Sequence, residues 1–125
     1  MRQLRLSIGR IELRLDLKNT PTADAIWDAA PFRAPVNTWG DEVYFATPVR
    51  AAGEADARDV MALGEIAYWP PGKALAIGFG PTPASHGNEI RLASPSNVFA
   101  TCPDDLRVLK TVSDGLIASV ERIET

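Results

Sequence analysis

The chain has one cysteine and one histidine in 125 residues. Cys102 therefore has no internal disulfide partner, and His86 alone falls two or three ligands short of a zinc site, so no metal and no cofactor are expected. No apolar run approaches the ~18 residues of a membrane span. The start, Met1-Arg2-Gln3-Leu4, lacks the apolar core of a signal peptide, so a cytoplasmic protein with no membrane partner is the expectation. Thirteen basic against sixteen acidic residues give a net charge of −3, and the two signs alternate along the chain. Nucleic-acid binding needs a clustered basic surface that displaces counterions from phosphates, so no nucleic-acid partner is expected either. No G-x-S-x-G elbow places a nucleophile, which leaves Ser85 beside His86 as an ordinary loop hydroxyl.

What is present is ordinary globular material, with 46% hydrophobic and 23% charged residues and no repeat or linker, which means one domain over residues 1–125. A chain of this length buries roughly two thirds of its unfolded surface around a single core. Leu4, Leu6 and Ile8 alternate with Gln3, Arg5 and Ser7, and after Gly9 the pattern resumes with Ile11, Leu13, Leu15 and Leu17. Period two on both sides of a glycine predicts an antiparallel hairpin with one apolar and one charged face. Thr20-Pro21 predicts a helix start, with Ala23, Ile26, Trp27 and Ala30 on one stripe and Pro31 as the stop.

Glu42 to Ala46 reads as the next strand, and Ala51 to Leu63 as an irregular crossing or a short helical turn. Two apolar runs flank Pro70-Pro71-Gly72, which predicts a hairpin with a type II turn and a positive φ at Gly72. Short strands follow at Glu89–Ala93 and Ser96–Thr101. Pro103-Asp104-Asp105 opens a second helix with Leu106, Leu109 and Val112 on one side, and Leu116 to Ile123 alternates again as the last strand. About eight strands and two helices suggest a closed barrel, the arrangement that leaves no unpaired edge.

Four segments, Trp39–Phe45, Gly64–Ile77, Phe79–Pro83 and Ala93–Phe99, resemble in order and spacing the cyclophilin-like family of small bacterial and archaeal proteins of unknown function. The resemblance covers nearly the whole chain. It implies a mainly β fold, a closed eight-stranded, mostly antiparallel barrel with two short capping helices. Cyclophilins that isomerise prolyl bonds use an arginine in a Phe-His-Arg segment. The comparable strand here, Val43 to Val49, has no arginine at that position, and neither Arg33 nor Arg50 matches the motif. No catalytic residue is carried over.

The candidate ligand-binding residues are Trp39, Glu42, Tyr44, Tyr68, Trp69, Phe79, Thr82 and Asn97. Large aromatics ordinarily fill cores, and these sit at strand ends where they could cap a barrel. The other reading is a concave aromatic pocket for a small molecule or short peptide, with polar groups from Glu42, Thr82 and Asn97. Adjacent strand residues face opposite ways. Glu42 and Tyr44 can therefore share a face, Asp41 cannot pair with Glu42, and one of Tyr68 and Trp69 points inward. If the pocket exists, Glu42, Tyr44, one of Tyr68 or Trp69, Phe79 and Asn97 should border one cavity of about 300 Å³ or more. Two other functions compete: a prolyl isomerase whose hydrogen-bond donor is Arg50 or Trp69, and a structural subunit of a larger assembly.

Overall fold

The computed structural model describes residues 2–124. Its strands are β1 (Gln3–Ile8), β2 (Ile11–Leu17), β3 (Phe32–Pro35), β4 (Asn37–Thr38), β5 (Glu42–Ala46), β6 (Arg58–Met61), β7 (Glu65–Trp69), β8 (Ala74–Gly78), β9 (Ile90–Thr101) and β10 (Ile117–Ile123). The fold is mainly β, with one α-helix, α1 (Pro21–Ala29), and short 3₁₀ segments at Pro70–Gly72 and Leu106–Thr111.

Nine strands form one antiparallel path in the order β3-β10-β1-β2-β9-β7-β8-β5-β4, and β6 pairs with β9 off that path. The ends of the path, β3 and β4, are separated in the chain only by Val36. Val36 is buried and exchanges hydrogen bonds with the turn before β10, its N–H donating to Leu116 O at 2.8 Å and its carbonyl accepting from Gly115 N at 2.9 Å. One extended stretch thus changes partners at Val36 and nearly closes the barrel. The path holds nine strands where eight were expected, a small difference to which the division of that stretch into β3 and β4 contributes.

The β1–β2 hairpin follows its alternation. Leu4 pairs with Leu15 and Leu6 with Leu13, all inside the barrel, while Arg5 and Arg14 face out. Gly9, at φ +57°, begins the two-residue turn, a conformation glycine takes without steric cost. Thr20 caps α1 by accepting from Ala23 N at 3.0 Å, Pro21 needs no donor there, and Ile26 and Ala23 plug the barrel. Two guanidiniums lie over the Trp27 ring, Arg2 at 5.7 Å and Arg122 at 5.3 Å from its centroid.

Four local expectations need correction. Residues 51–63 are not wholly irregular, because Arg58–Met61 pair with β9 as β6. The two short strands after Asn88 are one twelve-residue strand, β9, whose first half pairs with β6 and whose second half pairs with β7. The second helix is a single 3₁₀ segment, Leu106–Thr111, capped by the Asp105 carboxylate at Arg107 N. Six residues cannot repay the nucleation of an α-helix, and i→i+3 bonds close the segment instead. Finally, the Pro-Pro-Gly corner is a 3₁₀ turn in which Lys73, at φ 49°, takes the left-handed conformation and Gly72 does not. Glycine is needed at 72 for space: a Cβ there would sit 2.5 Å from the Trp69 ring.

Candidate functional site

All five residues of β8, Ala74-Leu75-Ala76-Ile77-Gly78, are buried, so this strand is covered on both faces. Leu75 and Ile77 point into the main core with Val43, Phe45, Ile66 and Tyr68. The alternate residues build a second, smaller cluster on the outer wall, where Ala67 and Ala76 meet Met61 and Leu92. The cover is the first half of β9 with β6. It lies close: a Cβ on Gly78 would fall 2.3 Å from a methyl of Ile90.

Where that cover stops, a cleft of about 190 Å³ remains against the outer wall, lined by Trp39, Glu42, Tyr44, Trp69, Ala76, Leu92 and Ala93. Register explains the convergence. Tyr44 is opposite Ala76, Ala76 is opposite Ala67, and Trp69 lies two residues beyond Ala67 on the same face. Trp39 N donates to Glu42 O at 3.0 Å across a tight turn, which brings the indole back over the start of β5. Gly40, at φ +59°, makes that turn possible, and its missing Cβ leaves room for the Pro81–Pro83 loop, whose Thr82 Cα would otherwise be 2.9 Å away. Trp69 Nε1 donates to Ser94 Oγ at 2.7 Å, so its ring is held from β9 as well.

Glu42 is the chemically unusual member. The residue is only 6% exposed, in apolar and aromatic surroundings, and Oε1 is a buried oxygen with no hydrogen-bond partner among the described residues. Buried polar atoms are nearly always paired, because an unpaired one forfeits its hydration without return. Desolvation pushes the Glu42 carboxyl up to about 7, so at neutral pH it exists in both protonation states. Asp41 faces elsewhere, toward Gly80 and Lys110 Nζ at 3.8 Å, and forms no carboxyl pair with it.

Of the eight candidate residues, four line the cleft: Trp39, Glu42, Tyr44 and Trp69. The other four do not, each for a visible reason. Tyr68 points inward, with its phenol donating to Val49 O at 2.7 Å and accepting from Ala51 N at 3.1 Å. Asn97 is likewise interior: its Nδ2 donates to Thr22 Oγ1 at 3.0 Å and Ala52 O at 2.9 Å, and Oδ1 accepts from Glu54 N at 2.8 Å. These two residues pin the crossing after β5 to the barrel. Phe79 belongs to the main core. Thr82 stitches its loop to β9, its hydroxyl donating to Arg91 O and its N–H donating to Ser85 Oγ at 2.9 Å. The cleft is also smaller than the 300 Å³ expected. Ala76, Leu92 and Ala93 escaped sequence reasoning because small aliphatic residues carry no chemical signal. Only the strand register reveals them.

The remaining reactive groups lie elsewhere. Cys102 is buried, and desolvation, with Asp104 beside it, pushes its thiol up to about 11. His86 is exposed in its loop. Among the described residues no three His, Cys, Asp or Glu side chains are grouped to hold a metal, and no helix is long and apolar enough to cross a membrane.

The comparisons with known proteins agree with this architecture. A family model described as Cyclophilin-like matches residues 2–121. The solution structure of a hypothetical protein from Archaeoglobus fulgidus is similar at 40% identity, with a TM-score of 0.84 over 98% of this chain and 95% of that one. The structure of McbB in complex with tryptophan is similar in fold at 16% identity and a TM-score of 0.72, over 98% of this chain and 45% of that one. No curated protein matches.

Proposed function

This chain belongs to the cyclophilin-like family, and from that premise we propose that it binds a small molecule in the outer-wall cleft, with Glu42 as the anchoring polar group. One observation carries the reading: Glu42, a buried acid with one unpartnered carboxyl oxygen, is among the residues that line an aromatic cavity a ligand can fill. Such a group costs folding free energy, and a ligand donor that reaches the Glu42 carboxyl from the cleft offsets part of that cost. The volume fits one ring rather than a peptide, since an engineered cavity of about 150 Å³ takes benzene. McbB was solved with tryptophan bound; the likeness is one of fold, and no McbB residue is carried over. A prolyl isomerase reading has less support, because no arginine lines the cleft.

A thermal-shift screen of small metabolites tests this, run on the wild type and on Ala93→Trp, which fills the cleft from its exposed rim. Binding to the native state raises the melting temperature by mass action. Compounds that shift the wild type and not the filled variant support the cleft. Equal shifts in both proteins, or none in either, count against it.

A further inference from the structure

Resting on that reading of the cleft, we infer that its ligand class is a small organic amine in the ammonium form: the cation faces Glu42 and the rings of Trp39, Tyr44 and Trp69, and an apolar body of about one ring lies on Ala76, Leu92 and Ala93.

The argument is one of charge. Among the described residues Glu42 is the only acid lining the cleft, and no lysine, arginine or histidine joins it there. An anionic ligand would meet an acidic group and aromatic rings whose faces carry negative potential, with no compensating cation. A neutral donor would bond the Glu42 carboxyl and gain no electrostatic attraction from the rings. An ammonium gains from both, through a charge-assisted hydrogen bond to the carboxylate and through attraction to the π-systems. Two basic residues beside lining elements are already committed: Arg91 bonds Glu89 and Asp59 at 2.6 Å each, and Lys110 lies by Asp41. This also separates amines from amino acids. A ligand α-carboxylate would have to enter beside Glu42 with no lining cation to receive it, so the zwitterion is disfavoured against the decarboxylated amine.

The apolar side of the cleft limits the body. Ala76 is small because it sits under the second cluster, and Leu92 and Ala93 come from the single strand β9. At about 190 Å³ the space suits a phenyl group with a short chain and excludes a second large ring system.

Four probes that share one ring decide the matter: 2-phenylethylamine, 2-phenylethanol, phenylalanine and 3-phenylpropionate, titrated by calorimetry and by tryptophan fluorescence at pH 8. The expected result is saturable binding of the amine, with the alcohol, amino acid and acid each at least roughly tenfold weaker. Glu42→Gln should cost the amine about tenfold or more and leave the alcohol within about twofold. Trp39→Leu, at a half-buried position that tolerates change, should also weaken the amine more than the alcohol. If alcohol and amine bind equally and Glu42→Gln affects neither, the ammonium assignment fails while the cleft stands. Preference for the acid or the amino acid overturns it as well. If none of the four binds at up to about 10 mM, the ring-sized amine is ruled out, and the Ala93→Trp screen judges the cleft by itself.

Discussion

The Trp69 ring packs so closely over Gly72 that a Cβ at position 72 would lie 2.5 Å from Cζ3 and 2.6 Å from Cε3. The turn after β7 therefore sets the position of a cleft-lining indole three residues earlier. Gly72 needs no positive φ, so alanine is acceptable to the backbone and the whole effect is steric. Gly72→Ala should destabilise the fold by about 1–3 kcal/mol, the usual range for overpacking, and should shift the tryptophan emission. Gly53→Ala, where a Cβ meets nothing within 4 Å, is the control and should stay within about 0.5 kcal/mol. Equal stabilities for the two variants by denaturant titration would contradict this packing.

Stability should depend on pH through Glu42. Its carboxyl binds a proton more tightly in the folded protein than in the unfolded chain, so the folded state is favoured at low pH. That advantage is lost as pH rises from about 4.5 to about 7, and it stays lost above. The full span is at most about 3 kcal/mol at 1.36 kcal/mol per pKa unit. Glu42→Gln removes the ionisation, so the variant should match the wild type near pH 4 and exceed it at pH 8. Urea titrations at the two pH values read the difference. A constant offset between the proteins would assign the effect to something other than Glu42 ionisation.

The two tyrosines should separate by role. The Tyr68 hydroxyl bonds Val49 O and Ala51 N inside the barrel, so Tyr68→Phe leaves a part-buried N–H without a partner and the Val49 carbonyl with only a long bond from Thr47 Oγ1 at 3.5 Å, and should cost about 1–3 kcal/mol. Tyr44 is half-buried, and its hydroxyl has no hydrogen bond among the described residues, so Tyr44→Phe should change stability by less than about 0.5 kcal/mol. Thermal melts of the two variants side by side test the contrast. Similar losses would mean that the interior bonds of Tyr68 contribute nothing net.

Cys102 should be inert in the native protein. Burial and the Asp104 carboxylate hold its thiol at about 11, so the reactive thiolate is scarce at pH 8. Alkylation by iodoacetamide should be at least about a hundredfold slower than in denaturant. Fast native labelling, followed by mass spectrometry, would show that the site opens.

Strand alternation and capping chemistry are local, and they were legible in the residues themselves. The period-two runs on either side of Gly9 specify the β1–β2 hairpin and its inward face, and Thr20-Pro21 specifies where α1 begins. Alternation also puts Glu42 and Tyr44 on one face of β5, and it requires Tyr68 and Trp69 to point opposite ways. It cannot say which of the two is inside. That depended on β7 lying between β8 and β9, where Ile66 and Tyr68 meet the core and Ala67 and Trp69 meet the second layer.

The cleft itself is a tertiary product. It exists because the first half of β9, paired with β6, folds back over the small residues of β8 and stops short of Glu42. No local pattern encodes that reach, since a buried outer face looks like any other apolar stripe until a distant segment covers it. The same holds for Asn97, polar and grouped with the candidate aromatics from sequence but drawn inside by Thr22, Ala52 and Glu54 from segments more than forty residues away. The hairpins follow from residue order. The site follows from which outer face the long β9 strand covers, and that is decided by packing between residues far apart in the chain.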